Sequence, residues 1–550
     1  MPHVSPRWLS QAFDPAPHER ELVAIVEEIA GSPGLGTRDL DRILRRHPKE
    51  GRGLFSRSEI IAGFRHFAPQ KDWRVDGDRF VESLRLRPVR TQSGVTPVTV
   101  LTRPHPCPGR CIFCPDDVRM PKSYLSNEPG AQRAANNGFD PYRQVWSRLA
   151  AYYSIGHPVD KVELIVLGGT WSSYPSAYQI GFVKRCFDAL NDFGKRVDRG
   201  FEGGTEATWS ELESVQRENE TCACRCVGLS VETRPDHLTE REVLRIRRLG
   251  ATKVQIGIQS LSDRVLDMNR RGHDVAATRR AFERLRGAGF KIHAHWMPNL
   301  YGSSPAEDVA QFSALFEDPD FRPDELKIYP CSLIETAELM KVYQRGDWRP
   351  YSRDELLGVL EACLERAPRY CRFTRVIRDF SAGDIVVGNR KGNLREVAER
   401  QLRERGVISK EIRSREIRDR SVSRSELRQI ATEYETSIGV EVFLEFVTPD
   451  DRIAAFLRLS LPRVPSFVEE IRRRAMVREV HVYGSSLALG GRREGRAQHS
   501  GLGRTLLEQA RARAQESGHD GLAVISAVGT REYYRGLGFR DGALYQHWTR

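Results

Sequence analysis

The chain has 550 residues, with 86 Lys+Arg against 74 Asp+Glu for a formal net charge of +12, 39% hydrophobic residues and a mean hydropathy of −0.50. No apolar run reaches the ~20 residues of a bilayer-spanning helix and no apolar signal segment stands at the start, which argues against a membrane protein and predicts a cytoplasmic one; apolar runs recurring from residue 98 exclude wholesale disorder. The length predicts three or four domains, and the basic excess points to an anionic partner, nucleic acid first, although an Arg-rich solvated surface accounts for the charge equally well.

Residues 1–80 predict a small helical module, with apolar residues at helical spacing over Glu19 to Ala30 and Ser58 to Phe67 and a short helix Asp39 to Arg46 capped by Thr37. From residue 98 the pattern changes. Strand-like runs at Val98–Thr102, Val162–Gly169, Val227–Pro235, Lys253–Ser260, Lys291–Asn299 and Glu325–Pro330 alternate with helical patterns such as Thr239–Leu249, Val275–Ala288 and Ala306–Phe316. Six strand–helix units predict a partial or complete parallel barrel over residues 81–345, with functional residues just after the strands' C-terminal ends.

Residues 346–430 are predicted to form a charged connector; 400–428 hold ten Lys/Arg against five Asp/Glu. Residues 431–550 predict an α+β domain. It comprises a hairpin of Val442–Val447 and Ile453–Leu461, a strand at Val477–Tyr483, a helix from Gly501, a strand at Leu522–Val528 and a short helix at Arg531–Leu537.

Ten cysteines are too few for a disulfide scaffold, but Cys107, Cys111 and Cys114 crowd into one loop as C-x3-C-x2-C after the first barrel strand. Three thiolates on a tight loop can each take one iron of a 4Fe–4S cube and leave the fourth iron open. A zinc site completed by a residue such as His105 is the competing reading, though no second C-x2-C arm accompanies it. Cys222, Cys224 and Cys226 alternate on a strand, and we read them as incidental thiols rather than a second metal site.

The spacing, with Phe113 before the last cysteine, resembles the radical S-adenosylmethionine (SAM) superfamily. That resemblance implies SAM on the open iron and a 5′-deoxyadenosyl radical on reduction. It also makes Gly168 and Gly169, at the end of the second strand, counterparts of the glycine-rich strand end that meets the SAM amine; an ordinary turn is the bland reading. Polar residues at other strand ends, Glu232, Arg234 and Gln255, are read as SAM or substrate contacts, against ordinary hydrogen-bonded residues.

In the C-terminal domain, Gln498-His499-Ser500-Gly501-Leu502-Gly503-Arg504 leads into a helix, where free backbone N–H groups suit a pyrophosphate. With Tyr533-Tyr534-Arg535-Gly536-Leu537-Gly538-Phe539 further on, the order closely resembles the GNAT acetyltransferase fold. The resemblance assigns acetyl-CoA to Glu479, Val480, His481 and Val482 on the central strand and to Gln498, Gly501, Leu502, Gly503 and Arg504 on the loop. It makes Tyr534 the proton donor to the CoA thiolate, with Tyr533 the better candidate for the core.

A SAM barrel followed by a GNAT domain, with the strings Arg87–Cys114, Asp160–Gly169, Ser230–Asp236, Arg478–Gly484 and Val528–Phe539, resembles the Elongator catalytic-subunit family from about residue 80 onward. The resemblance implies synthesis of 5-carboxymethyluridine at the tRNA wobble position. The radical takes hydrogen from the acetyl-CoA methyl, the carbon adds to uridine C5, and hydrolysis releases CoA. It also implies an acetyl-CoA-contacting and catalytic Lys161, and tRNA, through its anticodon stem-loop, as partner. A protein lysine acetyltransferase with a structural iron–sulfur barrel is the alternative.

One departure stands out: where many family members place zinc-binding cysteines, the connector string Ile408 to Ile417 carries Ser409, Lys410 and Ser414, which cannot replace thiolates, so no zinc is carried over and packing and ion pairs are expected to hold it. The tRNA surface is expected to comprise Arg400, Arg403, Arg405, Lys410, Arg413, Arg415 and Arg418 with the N-terminal helices and Arg85, Arg87 and Arg90.

Overall fold

The structure, a computed structural model, describes residues 13–32, 36–71, 73, 75–85, 93–199, 206–378, 380–381, 383–390, 392–418, 420, 422–483 and 501–549. Arg87, Arg90 and Gln498 lie outside them. Helices α1 (Glu19–Ala30), α2 (Thr37–Arg46), α3 (Arg57–Phe67) and α4 (Gly77–Ser83) close around their own core, including Leu22, Ile25, Ile60, Phe64 and Phe80. Ser56 and Glu59 form a reciprocal capping box at the start of α3. Thr37 is the first residue of α2 rather than its cap; Gly36 precedes it and donates its N–H to Asp39. The module is tied to the barrel by Arg65, whose Nη1 donates to the Tyr153 carbonyl at 2.8 Å, and by Arg85, whose Nε donates to the Gly156 carbonyl at 2.6 Å. Arg85 is therefore engaged in docking the module, and its assignment to the tRNA surface is withdrawn.

The barrel strands are β1 (Val95–Leu101), β2 (Lys161–Leu167), β3 (Arg225–Thr233), β4 (Lys253–Gln259), β5 (Lys291–Trp296) and β6 (Glu325–Ile328). All are parallel and adjacent in chain order, as the alternating pattern predicts. A two-residue strand β7 (Leu333–Ile334) follows, and then β8 (Arg372–Val376), which pairs with β6 and makes the sheet seven-stranded. β8 lies in the stretch expected to be a connector. Its sequence, Arg-Phe-Thr-Arg-Val, buries only Phe373 and Val376, so its charges mask the strand; Arg372 is paired with Glu416 at 2.8 Å. A short strand β9 (Ile385–Val387) pairs with β7 beyond the barrel.

The rest of the connector is pinned by Glu411. Its fully buried carboxylate accepts from the backbone N–H groups of Phe373, Arg413 and Ser414 at 2.8–2.9 Å and pairs with Arg395.

The C-terminal sheet runs β10 (Arg428–Thr436), β11 (Gly439–Val447), β12 (Ile453–Pro462), β13 (Ala475–Val482), β14 (Leu522–Val524), β16 (Gln546–Trp548) and β15 (Arg540–Asp541) in spatial order. Only β13 and β14 are parallel. This domain is seated beneath the N-terminal ends of the barrel strands. Asp324, just before β6, is fully buried between Arg478 of β13, at 2.7 Å, and Arg458 of β12, at 3.4 Å; Arg478 also meets Glu441 at 2.9 Å and Arg458 meets Glu479 at 2.8 Å.

Burial alone would raise the Asp324 carboxyl, but the two guanidiniums outweigh it and hold it at about 2. A depressed folded-state value means that this contribution to stability is fully present above the unfolded carboxyl value near ~3.9 and is lost as pH falls toward the folded one. Asp324→Ala leaves two guanidiniums short of a buried counter-charge and is expected to cost about 3–5 kcal/mol, read from urea unfolding at neutral pH. A loss under about 1 kcal/mol would show that the cluster does not hold the domains together.

Candidate active sites at the two ends of the barrel

At the C-terminal ends of the strands, the cysteine loop that follows β1 opens on a cavity of about 130 Å³ lined by Cys107, Cys111 and Cys114. The Cys111 thiol is held well below its ordinary value, first by its hydrogen bond with Cys114 and then, against the cost of burial, by the Arg271 guanidinium, whose Nη1 lies 3.4 Å from the sulfur. Cys114 Sγ lies 3.1 Å from Ser123 Oγ, and Cys107 Sγ lies 3.6 Å from Thr170 Oγ1. Gly109 leaves no room for a Cβ because Arg234 packs against it.

Among the described residues, no three His, Cys, Asp or Glu side chains converge on a single-ion site. The three thiols stand around a cavity instead, the arrangement a cube needs when each thiolate takes its own iron. His105, the fourth ligand of the zinc reading, has its ring stacked on Tyr174 at 4.5 Å. The residues present therefore fit a 4Fe–4S cluster held by Cys107, Cys111 and Cys114. Cys224 and Cys226 are buried thiols, both raised by burial, and no metal group forms around them among the described residues.

Gly168 and Gly169 follow β2 with φ of 145° and 88°, a backbone that side chains rarely adopt. Gly169 lines the cavity; Gly168 lies against Thr102, where a Cβ would not fit. Glu232 also lines the cavity, accepting from Tyr124 Oη at 2.8 Å with His295 Nδ1 3.6 Å away. Arg234 reaches the cavity from behind the cysteine loop.

Gln255 does not line it. The Gln255 amide is buried, donates to Ser230 Oγ at 3.0 Å, and its oxygen lies 3.1 Å from His295 Nε2 and accepts from Lys327. Its position two residues closer to the N-terminal end of β4 than Gly257 leaves it below the rim, so its expected SAM contact is corrected to support of His295 and Lys327, which do line the cavity. Sequence reading missed Tyr124, Arg271, Lys327 and Arg378. They come from loops and strand ends without a motif, and only the alternation of polar residues on an apolar strand signals Lys327.

Below Gln255 the barrel interior stays polar. Lys253 lies 2.6 Å from Glu163 and 3.1 Å from Glu325, and Glu325 lies 3.3 Å from His293. Lys161 shares a face of β2 with Glu163 by the two-residue strand period, at the end nearest the C-terminal domain. It is half-buried, and burial together with Arg225 lowers its ammonium against the pull of Asp160.

The second candidate site is at that lower end. β13 pairs with β14 only over Ala475–Val477, so the ladder between the two strands ends before Arg478. Val480 and Val482 border Gly503 in the first turn of helix α5 (Leu502–Glu516), and the N–H groups of such a first turn, which lack intrahelical partners, suit a pyrophosphate. Gly501 takes a left-handed φ of 73° to make that turn. His481 is 3.1 Å from Ser93 Oγ, just before β1, and burial lowers its imidazole to about 4, so it is neutral.

Three expectations change in detail. The Glu479 carboxylate is engaged by Lys291 at 3.0 Å and Arg458 at 2.8 Å, so only its backbone is left for a ligand. The Leu502 side chain is buried in the core, leaving its N–H. Tyr533 is 48% exposed with its hydroxyl over Gly503, whereas Tyr534 is the buried one, so the expected core role of Tyr533 is corrected. Arg504 is exposed and paired with Glu508 at 3.2 Å.

A larger groove of about 1240 Å³ adjoins the cysteine cavity and shares Arg375, Arg378 and Phe380 with it; Arg403, Arg413 and Arg418 line its outer part. Arg415 does not belong to this surface. It is 4% exposed, with Nη1 2.8 Å from Glu445, and its place in the expected tRNA surface is corrected to an internal ion pair. Lys410 is exposed, Arg405 is paired with Glu361 at 2.8 Å and Arg400 lies 3.9 Å from Glu404.

Comparison with known proteins gives consistent results. The Radical SAM superfamily matches residues 105–312 and the Radical_SAM C-terminal domain residues 323–404. A tRNA uridine(34) acetyltransferase of Methanocaldococcus jannaschii is 38% identical over 518 residues, 91% of each chain. One of Dehalococcoides mccartyi is 40% identical over 464 residues, 83% of this chain and 98% of that one. Elongator complex protein 3 of Homo sapiens is 33% identical over 475 residues, 83% of this chain and 84% of the other. Among solved structures, the archaeal Methanocaldococcus infernus Elp3 with an N-terminal deletion superposes with a TM-score of 0.71 at 35% identity, covering 83% of this chain and all of that one.

Proposed function

The chain belongs to the family of the tRNA uridine(34) acetyltransferases and Elongator complex protein 3, and from that premise we propose that it is a radical SAM enzyme that builds a carboxymethyl group on C5 of the tRNA wobble uridine, with acetyl-CoA as the carbon donor. The observation that carries this reading is the pairing in one chain of a thiol-lined cavity with a strand, β13, whose ladder to β14 ends before Arg478, at opposite ends of one polar barrel interior. When bound, the cluster and SAM would supply the radical chemistry that activates the acetyl methyl for bond formation at uridine C5.

The chain's own residues supply the rest. Cys107, Cys111 and Cys114 hold the cluster, and the Gly169 backbone with Glu232 and Arg234 contacts SAM. Gly501, Gly503 and the N–H groups of Leu502 and Arg504 hold the CoA pyrophosphate, and the backbone of β13 from Glu479 to Val482 takes the pantetheine arm. The seven-residue strands span ~20 Å at ~3.3 Å per residue, so the acetyl end has to enter the lumen past Lys161 to meet the radical. Tyr534, kept neutral by burial, donates a proton to the departing CoA thiolate. The experiment is mass spectrometry of wobble nucleosides from tRNA incubated with reconstituted protein, SAM, acetyl-CoA and reductant; absence of carboxymethyluridine refutes the reading. The lysine acetyltransferase alternative is not favoured, because the relatives are named for tRNA uridine.

In this reading the basic groove receives the anticodon stem-loop, because it adjoins the cysteine cavity. Reversing Arg403, Arg413 and Arg418 to Glu is expected to weaken tRNA binding across sequences and flatten its dependence on log[salt], by roughly 0.7–0.9 of slope for each phosphate no longer neutralised. Anisotropy titrations at several salt concentrations measure this. An unchanged slope would place the RNA elsewhere.

A further inference from the structure

Two arginines behind the cysteine loop are each held at two or more atoms, and each keeps a donor unused. Arg271 is 6% exposed and Arg234 is 4% exposed. Arg271 Nη2 donates to the Gly257 carbonyl at 2.7 Å, which aims Nη1 at Cys111 Sγ, 3.4 Å away. Arg234 is fixed by Asp236 through Nε and Nη2, both at 2.9 Å, and by the Arg271 carbonyl at 2.8 Å, while its Nη1 packs on Gly109 between Cys107 and Cys111. Arg271 Nε and Arg234 Nη1 are buried without a hydrogen-bond partner, and both residues line the cavity.

The charge balance is one-sided. Asp236 offsets Arg234, but among the described residues no carboxylate lies within ion-pair distance of Arg271. Burying an unpaired guanidinium is costly, so its position demands an anionic counterpart. The thiolates of Cys107, Cys111 and Cys114 with their cluster are that counterpart. Reduction adds one electron and makes the assembly more negative by one charge. A fixed cation and an N–H···S bond in a low-dielectric site stabilise that state more than the oxidised one.

We propose that Arg271, supported by Arg234, is a positioning residue that raises the reduction potential of the cluster bound by Cys107, Cys111 and Cys114. This rests on the radical SAM reading above. The step it eases is the transfer of one electron from a low-potential donor, of the reduced-flavin or iron–sulfur class, to the oxidised cluster, with no bond made or broken in the protein.

The test is a potentiometric titration of the reconstituted full-length protein, with the reduced cluster followed by electron paramagnetic resonance and iron counted in parallel. Arg271→Met removes both charge and donor. It is expected to lower the reduced-to-oxidised ratio at a fixed potential at least about tenfold, a midpoint ~59 mV more negative for one electron. Arg271→Gln, which keeps an N–H donor without the charge, and Arg234→Gln are expected to shift it the same way by less, and Arg271→Lys to stay near wild type. Unchanged midpoints in every variant that takes up iron overturn the proposal, as does loss of iron in all of them, which would assign the arginines to loop folding. Wild-type protein that takes up no iron would instead sink the cluster assignment.

Discussion

Replacing Cys107, Cys111 and Cys114 together with Ala is expected to remove about four irons per chain from anaerobically reconstituted protein and to abolish reductive cleavage of SAM. The three side chains belong to one loop and line one cavity, and the remaining cysteines form no candidate metal group among the described residues. The fold should survive, because Cys107 and Cys114 are only half-buried and the loop is also braced by the Ile112 N–H on Asn269 at 3.2 Å and the Leu339 N–H on Ile112 at 2.8 Å. Circular dichroism and retained acetyl-CoA binding check that point. A triple variant that folds and still cleaves SAM would refute the assignment of the loop.

Tyr534→Phe is expected to depress tRNA-stimulated release of CoA by ~10²–10⁴-fold, the range for removal of a positioned proton donor. Burial, with smaller contributions from Tyr533 and Glu479, raises the phenol, so it keeps its proton at any pH at which the protein works. The expected defect is therefore nearly flat between about pH 6 and 9, since the group does not titrate there. Tyr533→Phe removes the neighbouring hydroxyl, which is over Gly503 of the pyrophosphate turn, and separates a loss of binding from a loss of proton donation. Lys161→Ala should depress release as well, through the acetyl end. If Tyr534→Phe released CoA at the wild-type rate, or if a lysine peptide stimulated release far better than tRNA, the coupled reading would fail.

Much of this was legible in the residues. Alternating strand and helix patterns placed six barrel strands within three residues of their observed starts, because five of the six carry two or more Val, Ile or Leu residues of the kind a covered sheet accommodates. The cysteine loop was legible because its chemistry depends on local spacing. β8 was not, since its Arg372 and Arg375 make a core strand look like surface until Glu416 and the cavity are in place. Gln255 was overread for the opposite reason: alternation shows that a side chain points into the lumen but not how far down it sits. Arg415 and Glu479 looked like surface and ligand charges, yet each is matched to a carboxylate or cation more than twenty residues away or on another domain, which periodicity cannot show.

The set Asp324, Arg478, Arg458, Glu441 and Glu479 also limits how this chain can change over time. Any one of these residues altered alone strands a charge in a dry interior, and the intermediate is disfavoured before a compensating change can arrive. The five positions, drawn from the barrel and from the C-terminal sheet, can therefore drift only as a group. A chimera that joins this barrel to another relative's C-terminal domain has to import the matching charges along with the strands, or it will lose the seat that aligns β13 with the lumen.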